Sequence, residues 1–293
     1  MHNQNEYKIY QSSIQYLSRI LSGCQVPYAF VKGSFLISAL YKTGQGIAND
    51  IDILINEKSI GELQSILIEN GFRQGGFKNN LEFFPADRSQ ILMSRMNYGE
   101  TVPWVKLIDG RPVKVDINFS VDYKPNSNND IVKKLLENRM TVTFDEYKLQ
   151  TLAPVEFFIH LCCHLYKEAT TYDWVRQRKD LMLYKFSNIN VFLHEYGNKQ
   201  FFLDLKQRVR ELDVEKECYY TCENASIIYP HILESDGFKS FLDQIKPDNL
   251  LFMRQIIHPQ EKKLFTHDMD FVGWFFCEDR VAYLNKEAKC ETI

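Results

Sequence analysis

The sequence predicts an α+β fold, a mixed β-sheet with flanking helices followed by a mainly helical C-terminal domain. Three observations lead there. Residues 7–119 pass from helical to strand-like patterns several times before ending in a strand-rich run. Asp109-Gly110 joins two alternating apolar runs, a strong signal for a two-residue β-hairpin. Beyond about residue 148 the apolar spacing is helical. The expected division is residues 1–148 for the sheet domain and 149–293 for the helical one.

Taken in order, residues 7–21 place Ile9, Ile14, Leu17, Ile20 and Leu21 close to helical spacing, an amphipathic helix that packs on the sheet. Residues 27–31 are the first strand. An apolar helical segment, 35–41, follows Lys32-Gly33-Ser34, and Gly44 and Gly46 mark the loop behind it. Residues 50–55 alternate acid and aliphatic, so Asp50 and Asp52 share one strand face while Ile51, Ile53 and Ile55 share the buried one. Residues 59–70 are helical and stop at Gly71. Residues 72–77 and 81–84 form a hairpin, and 91–96 reads as another strand. Strand 104–108 returns as 111–119, with Val113, Val115 and Ile117 on one face and Lys114, Asp116 and Asn118 on the other.

The polar stretch 123–130 is a loop. A short helix (131–138) and a strand (140–144) follow, and Thr151-Leu152-Ala153-Pro154 starts a helix. Helices are expected at 155–169, 173–186, 191–196, 200–212 and 214–229. The aromatic segment 270–283 is a strand or a buried helix, and residues 285–293 form a polar, frayed tail.

The chemistry centres on the acids. Two neighbouring carboxylates each raise the other's pKa unless a cation stands between them. Asp50 and Asp52 at the mouth of a buried strand are most simply explained by a divalent metal, and hard oxygen ligands point to magnesium or manganese. Asp116 offers a third carboxylate from a strand able to lie alongside. Three acids on two cations about 3.5–4 Å apart suit an in-line phosphoryl or nucleotidyl displacement. Ser34 opens a helix after a glycine, so its hydroxyl and the backbone amides there form a phosphate cradle.

The order Gly33-Ser34, Asp50-x-Asp52, then a lone strand acid at Asp116 resembles the nucleotidyltransferase superfamily related to DNA polymerase beta. More narrowly, it looks like the bacterial uncharacterised nucleotidyltransferase family, with its KG-x-x-L start and DIDLLV-like strand. The likeness is good over about residues 25–120 and looser to about 200. It implies two Mg²⁺ ions, or Mn²⁺ in their place, held by Asp50, Asp52 and Asp116, with Asp116 helping to activate the attacking hydroxyl. It also implies an NTP, ATP first, bound at Gly33 and Ser34, with Lys32, Lys42 and Lys114 as the nearby cations. Relatives often carry an arginine shortly before the acid pair. Here Gly46, Ile47, Ala48 and Asn49 stand there, and Lys42 is the nearest upstream cation.

Composition sets the limits. A chain of 293 residues with 45% apolar and 25% charged residues has room for two globular cores. The net charge of −3 gives no overall footprint for a long nucleic acid, although tRNA stays among the acceptors to consider. No apolar run reaches membrane-span length, residues 1–11 lack an export signal, and seven cysteines without small-domain spacing suit a reducing cytoplasm.

Other candidates have a plainer reading beside the functional one. Glu156, His160 and His164 share a helix face, which can ligate zinc, yet no second Cys/His pair accompanies them, and a buried face is the simpler account. Cys218 and Cys222 read as helix packing. Arg73, Arg88 and Arg95 can reach a phosphate but read as solvated surface. The aromatics of 271–276 read as core more readily than as a base-stacking platform. The expected function is metal-dependent transfer of a nucleoside monophosphate to an acceptor hydroxyl of a small molecule, peptide, protein or tRNA. The acceptor is expected between the sheet and the helical domain. The alternative is a non-catalytic nucleotide- or partner-binding module that keeps the fold.

Overall fold

The computed structural model describes residues 2–46, 48–121, 129–144 and 146–289. The chain divides into two compact units, Met1–Phe157 and Phe158–Ile293.

The first unit is built on an eight-stranded mixed sheet. Its elements are α1 (His2–Ile20), β1 (Tyr28–Val31), α2 (Gly33–Ala39), β2 (Ile51–Ile55), α3 (Ile60–Glu69), β3 (Arg73–Phe77), β4 (Phe83–Pro85), α4 (Arg88–Met93), β5 (Trp104–Ile108), β6 (Arg111–Asn118), α5 (Asn129–Glu137), β7 (Arg139–Thr143) and β8 (Lys148–Leu152). The strand order is β4-β3-β5-β6-β2-β1-β8-β7. β2 runs parallel to β6 and β1 parallel to β8, while the other neighbours are antiparallel.

Local chemistry explains most of these elements. The apolar stripe of α1 buries Ile14 and Leu17 completely and continues into Leu21. In α3, Ile60, Leu63 and Leu67 do the same, and Gly71, at φ +80°, ends the turn as only glycine does without strain. Asp109 and Gly110 both take left-handed φ, the geometry of a type I′ hairpin that follows the strands' twist. β6 buries Val113, Val115 and Ile117 on one face as its alternation requires. β2 goes further, because every one of its residues is buried, Leu54 and Asp52 included. That is the signature of a central strand covered on both faces.

The structure corrects several expectations here. Residues 91–96 are not a strand. Asp87 caps α4 by accepting from the Gln90 N–H at 2.8 Å while Gln90 Oε1 accepts from the Asp87 N–H at 3.0 Å, a reciprocal capping box that fixes a helix start. The chain continues through a π-helical turn, Ser94–Tyr98, that leaves Met93 and Met96 about half or more exposed. Residues 148–152 form strand β8, which takes in Thr151 and Leu152 of the expected helix start. Thr151 pairs with Phe30 of β1 and its hydroxyl donates to the Phe30 carbonyl at 2.8 Å. Pro154 does open the following helix. Residues 123–128 of the expected 123–130 loop lie outside the described residues, and Asn129 and Asp130 open α5.

Helix α6 (Pro154–Ala169) leads into the second unit. That unit contains α7 (Tyr172–Arg176), α8 (Leu183–Tyr196), α9 (Lys199–Leu212), α10 (Glu215–Ile228), α11 (Phe238–Ile245), β9 (Gln255–His258), β10 (Lys263–Thr266), α12 (Phe271–Phe276) and β11 (Asn285–Lys289). Its core is aromatic, with Phe158, Phe192, Phe201, Phe202 and Phe238 in edge and tilted contacts. The helix expected at 173–186 breaks at Arg178, φ +57°, and Asp180 beyond it is buried against Arg280. A new helix, α8, then runs without interruption through the segment expected as a separate helix at 191–196. The tail corrects the sequence most. Residues 285–289 are β11 of a three-stranded sheet, β11-β10-β9, and not a frayed end. Among the described residues no helix is long and apolar enough to cross a membrane.

Candidate active site

Register brings the acids together. β2 and β6 pair Asp52 with Asp116, Ile51 with Val115 and Ile53 with Ile117. Residues paired across a parallel ladder leave the same face of the sheet, and neighbouring strands stand about 4.8 Å apart. Asp52 and Asp116 are therefore side-by-side carboxylates. Asp50 sits one residue ahead of β2, where the Tyr10 hydroxyl donates to its backbone carbonyl at 2.9 Å.

Two lysines and an asparagine answer these acids. Lys32 Nζ donates to Asp52 Oδ1 at 2.8 Å, and Asn118 Nδ2 donates to the same oxygen at 3.2 Å. Lys114 Nζ bridges Asp116 Oδ2 at 2.8 Å and Asp50 Oδ2 at 3.3 Å. The Lys32–Asp52 pair is nearly buried, while Lys114 is 38% exposed and less tightly held. Backbone conformation sets the first pair. Lys32 takes φ +54°, a conformation a non-glycine residue adopts at a cost of roughly 1–3 kcal/mol. Gly33 follows, and a Cβ there would stand 2.9 Å from Ala48 Cβ, so the loop ahead of Asp50 packs against the start of α2 only because residue 33 has no side chain.

Burial dominates the electrostatics. It raises the Asp116 carboxyl to about 7 against the pull of Lys114, and Asp52 and Asp50 add to the rise. Asp52 is raised as well, by burial first, with Lys32 opposing and Asp50 adding. Burial works to lower Lys114, but Asp116 and Asp50 outweigh it and leave the ammonium harder to deprotonate than usual. The Tyr10 phenol is held well above its ordinary value, again mainly by burial.

The donor set suits a hard divalent cation on two counts. Three carboxylates face two ammonium groups, leaving one formal negative charge. Asp116 Oδ1 is buried with no hydrogen-bond partner among the described residues, a state that normally costs free energy unless a ligand satisfies it. As the side chains stand, no three His, Cys, Asp or Glu groups among the described residues are arranged to hold a metal. Lys114 lies between Asp50 and Asp116, and a cation there requires its flexible, part-exposed stem to swing aside.

The other predicted residues fare unevenly. Ser34 is completely buried at the start of α2, with its side chain directed inward. Lys42 is exposed on the loop after α2, and no ion pair among the described residues joins it to the acids. Arg73 stacks over Phe83 and Arg95 pairs with Glu57, both on the surface. His160 and His164 stack with parallel rings, and His164 pairs with Glu168, which also holds Lys185. Cys218 and Cys222 are buried in α10. Of the residues the sequence did not assign to the site, Asn118 was visible as the next same-face position after Asp116. Tyr10 carries no local signal, because its role depends on α1 reaching the Asp50 loop.

The sequence profile described as "Uncharacterised nucleotidyltransferase" matches residues 2–230, most of the chain. The chain belongs to that family. No curated protein sequence matches it. Among solved structures it is similar to an antigenic nucleotidyltransferase-like protein from Paracoccidioides brasiliensis, at 13% identity and a TM-score of 0.39, covering 71% of this chain and 91% of that one. In family terms, the matched span takes in the whole acid constellation from Lys32 to Asn118.

Proposed function

We propose that this family member transfers a nucleoside monophosphate from an NTP, ATP first, to an acceptor hydroxyl with release of pyrophosphate, by the chemistry of the superfamily related to DNA polymerase beta. The observation that carries the reading is the side-by-side placement of Asp52 and Asp116, with a buried Asp116 oxygen that has no partner among the described residues. Asp50, Asp52 and Asp116 would hold Mg²⁺, or Mn²⁺ in its place, which when bound supplies charge neutralisation along the triphosphate and a polarised α-phosphorus.

The chain's own groups do the rest. Gly33, whose missing side chain lets the Asp50 loop pack close, and the adjoining backbone of α2 would meet the triphosphate, with Lys42 as the further cation that the resemblance assigns to it. Lys32 and Lys114 exchange carboxylate partners for phosphate oxygens as substrate enters. The acceptor oxygen attacks the α-phosphorus, the bond to pyrophosphate breaks, and the hydroxyl proton passes to Asp116. Positioning and charge stabilisation account for most of such catalysis. The same proposal places the reaction in the cytoplasm, where NTP and Mg²⁺ are supplied.

One observation favours a second reading, a non-catalytic binding module. Lys32 and Lys114 already pair with all three acids, as a purely structural ion-pair network does. Labelled NTP, Mg²⁺ and a panel of hydroxyl acceptors separate the two. Pyrophosphate and a labelled product that vanish in Asp50→Ala and Asp52→Ala establish the transferase. Tight nucleotide binding without pyrophosphate from any acceptor establishes the module.

A further inference from the structure

A cavity of about 770 Å³ opens beside the acid cluster within the first unit. Asn49 and Lys114 are among its lining residues, and Lys114 is the same residue that bridges Asp50 and Asp116. Phe77, Phe84, Met93 and Val105 are among the apolar side chains along its walls. Val105 pairs with Lys114 across the β5–β6 ladder, so this wall and the carboxylates occupy the same face of the sheet. The volume falls within the range of small-molecule sites, roughly 300–1,000 Å³.

Its place in the strand order separates it from the phosphate turn. Gly33 and Ser34 follow β1, the acids stand on β2 and β6, and the cavity lies over β6, β5 and β3. An in-line displacement needs attacker and leaving group on opposite sides of the reacting phosphorus. With the triphosphate on the β1 side, the cavity is on the attacker's side.

Its lining then selects among acceptors. Among the described residues no carboxylate lines it, so a polycationic amino sugar finds no counter-charge in the lining. Its charged lining residues among those described are Lys78, paired with Glu82 at 3.1 Å, and Lys114, paired with the acids, so a polyanion such as tRNA finds little to bind. We infer that this cavity is the acceptor site and that it takes an uncharged small molecule with an apolar or aromatic body and a hydroxyl at the end next to Lys114. This inference rests on the transferase reading. The hydroxyl oxygen forms the new bond to the α-phosphorus, pyrophosphate leaves, and the proton goes to Asp116.

The test uses 2-naphthaleneethanol, a neutral fluorescent aromatic alcohol, with the full-length protein. Fluorescence titration measures its binding with and without ATP and Mg²⁺, and pyrophosphate release measures its use as acceptor beside kanamycin and bulk tRNA. The probe is expected to bind alongside ATP and to release pyrophosphate faster than either alternative. Met93→Glu and Phe84→Ala alter side chains that are 47% and 42% exposed, so neither is expected to impair folding. Each should weaken probe binding tenfold or more and raise its KM while leaving ATP affinity unchanged. Displacement of the probe by ATP, absence of probe binding, or probe binding that ignores both variants overturns the assignment. Pyrophosphate release only with kanamycin or tRNA overturns it while the transferase reading stands. Probe binding without pyrophosphate from any acceptor defeats the transferase reading, and the acceptor role with it.

Discussion

Asp52 and Asp116 face each other across a parallel ladder, on strands whose neighbouring residues are buried aliphatics, and they are held there by a lysine each. Burying two carboxylates side by side is costly, and the fold keeps them in place with Lys32, Lys114 and Asn118. The arrangement makes cation exchange at this point the first property to measure.

Lys114→Met removes one of the two ammonium groups and leaves Asp50 and Asp116 facing each other. Because Lys114 is 38% exposed, the loss in chelator-treated protein should be modest, about 1 kcal/mol. Magnesium should restore the thermal midpoint of the variant by more than it raises that of the wild type. Equal shifts in both proteins would show that the acids do not bind the ion at the position Lys114 occupies.

Gly33→Ala places a methyl group 2.9 Å from Ala48 Cβ and 3.3 Å from the Tyr10 hydroxyl. The loop carrying Asp50 must move, at about 1–3 kcal/mol for such overpacking. Nucleotide affinity should fall with stability, as isothermal titration and urea unfolding will show. Unchanged affinity in a folded variant removes Gly33 from the nucleotide site.

In the second unit, Arg280 Nη1 donates to Asp180 Oδ1 at 3.1 Å, and the guanidinium also donates to the Trp274 and Phe275 carbonyls at 2.7 Å each. Both side chains are buried. Arg280→Ala leaves an unpaired buried carboxylate and should cost about 3–5 kcal/mol in chemical denaturation. Asp180→Asn combined with Arg280→Met should recover part of that loss. A double variant as unstable as the sum of the singles shows that the pair itself is not what matters.

His267 stacks on Trp274 at 3.8 Å between ring centres, and burial pushes its imidazole down to about 4, with Arg254 adding to the effect. The unfolded chain, with an ordinary histidine near 6.5, therefore binds a proton in a range where the folded one does not. Stability is full above about 6.5 and drops as pH falls toward 4. Urea midpoints at pH 7 and pH 4.5 measure the drop, which should shrink in His267→Phe. An identical pH profile in the variant places the acid sensitivity elsewhere.

Local chemistry already stated much of this protein. The period-2 alternation of 50–55 and 111–119 put Asp50 with Asp52, and Asp116 with Lys114, on strand faces opposite the aliphatics, because side-chain direction along a strand depends only on counting residues. Asp109-Gly110 fixed the hairpin, and 3.6-residue spacing fixed α1, α3, α9 and α10. The capping box of Asp87 and Gln90 went unread, because the apolar run behind it looked like a strand.

What sequence did not contain was pairing. The match of Asp52 with Asp116, the reach of Lys32 and Lys114 to their acids, the Tyr10 contact with the Asp50 carbonyl and the wall shared by Val105 and Lys114 all join residues far apart in the chain. β8 and β11 are short strands whose identity comes from a partner's backbone and not from their own side chains. Local spacing determines which way a side chain points. Only the assembled sheet, by burying those faces together, decided which carboxylates meet, how far their pKa values rise and what stands beside them.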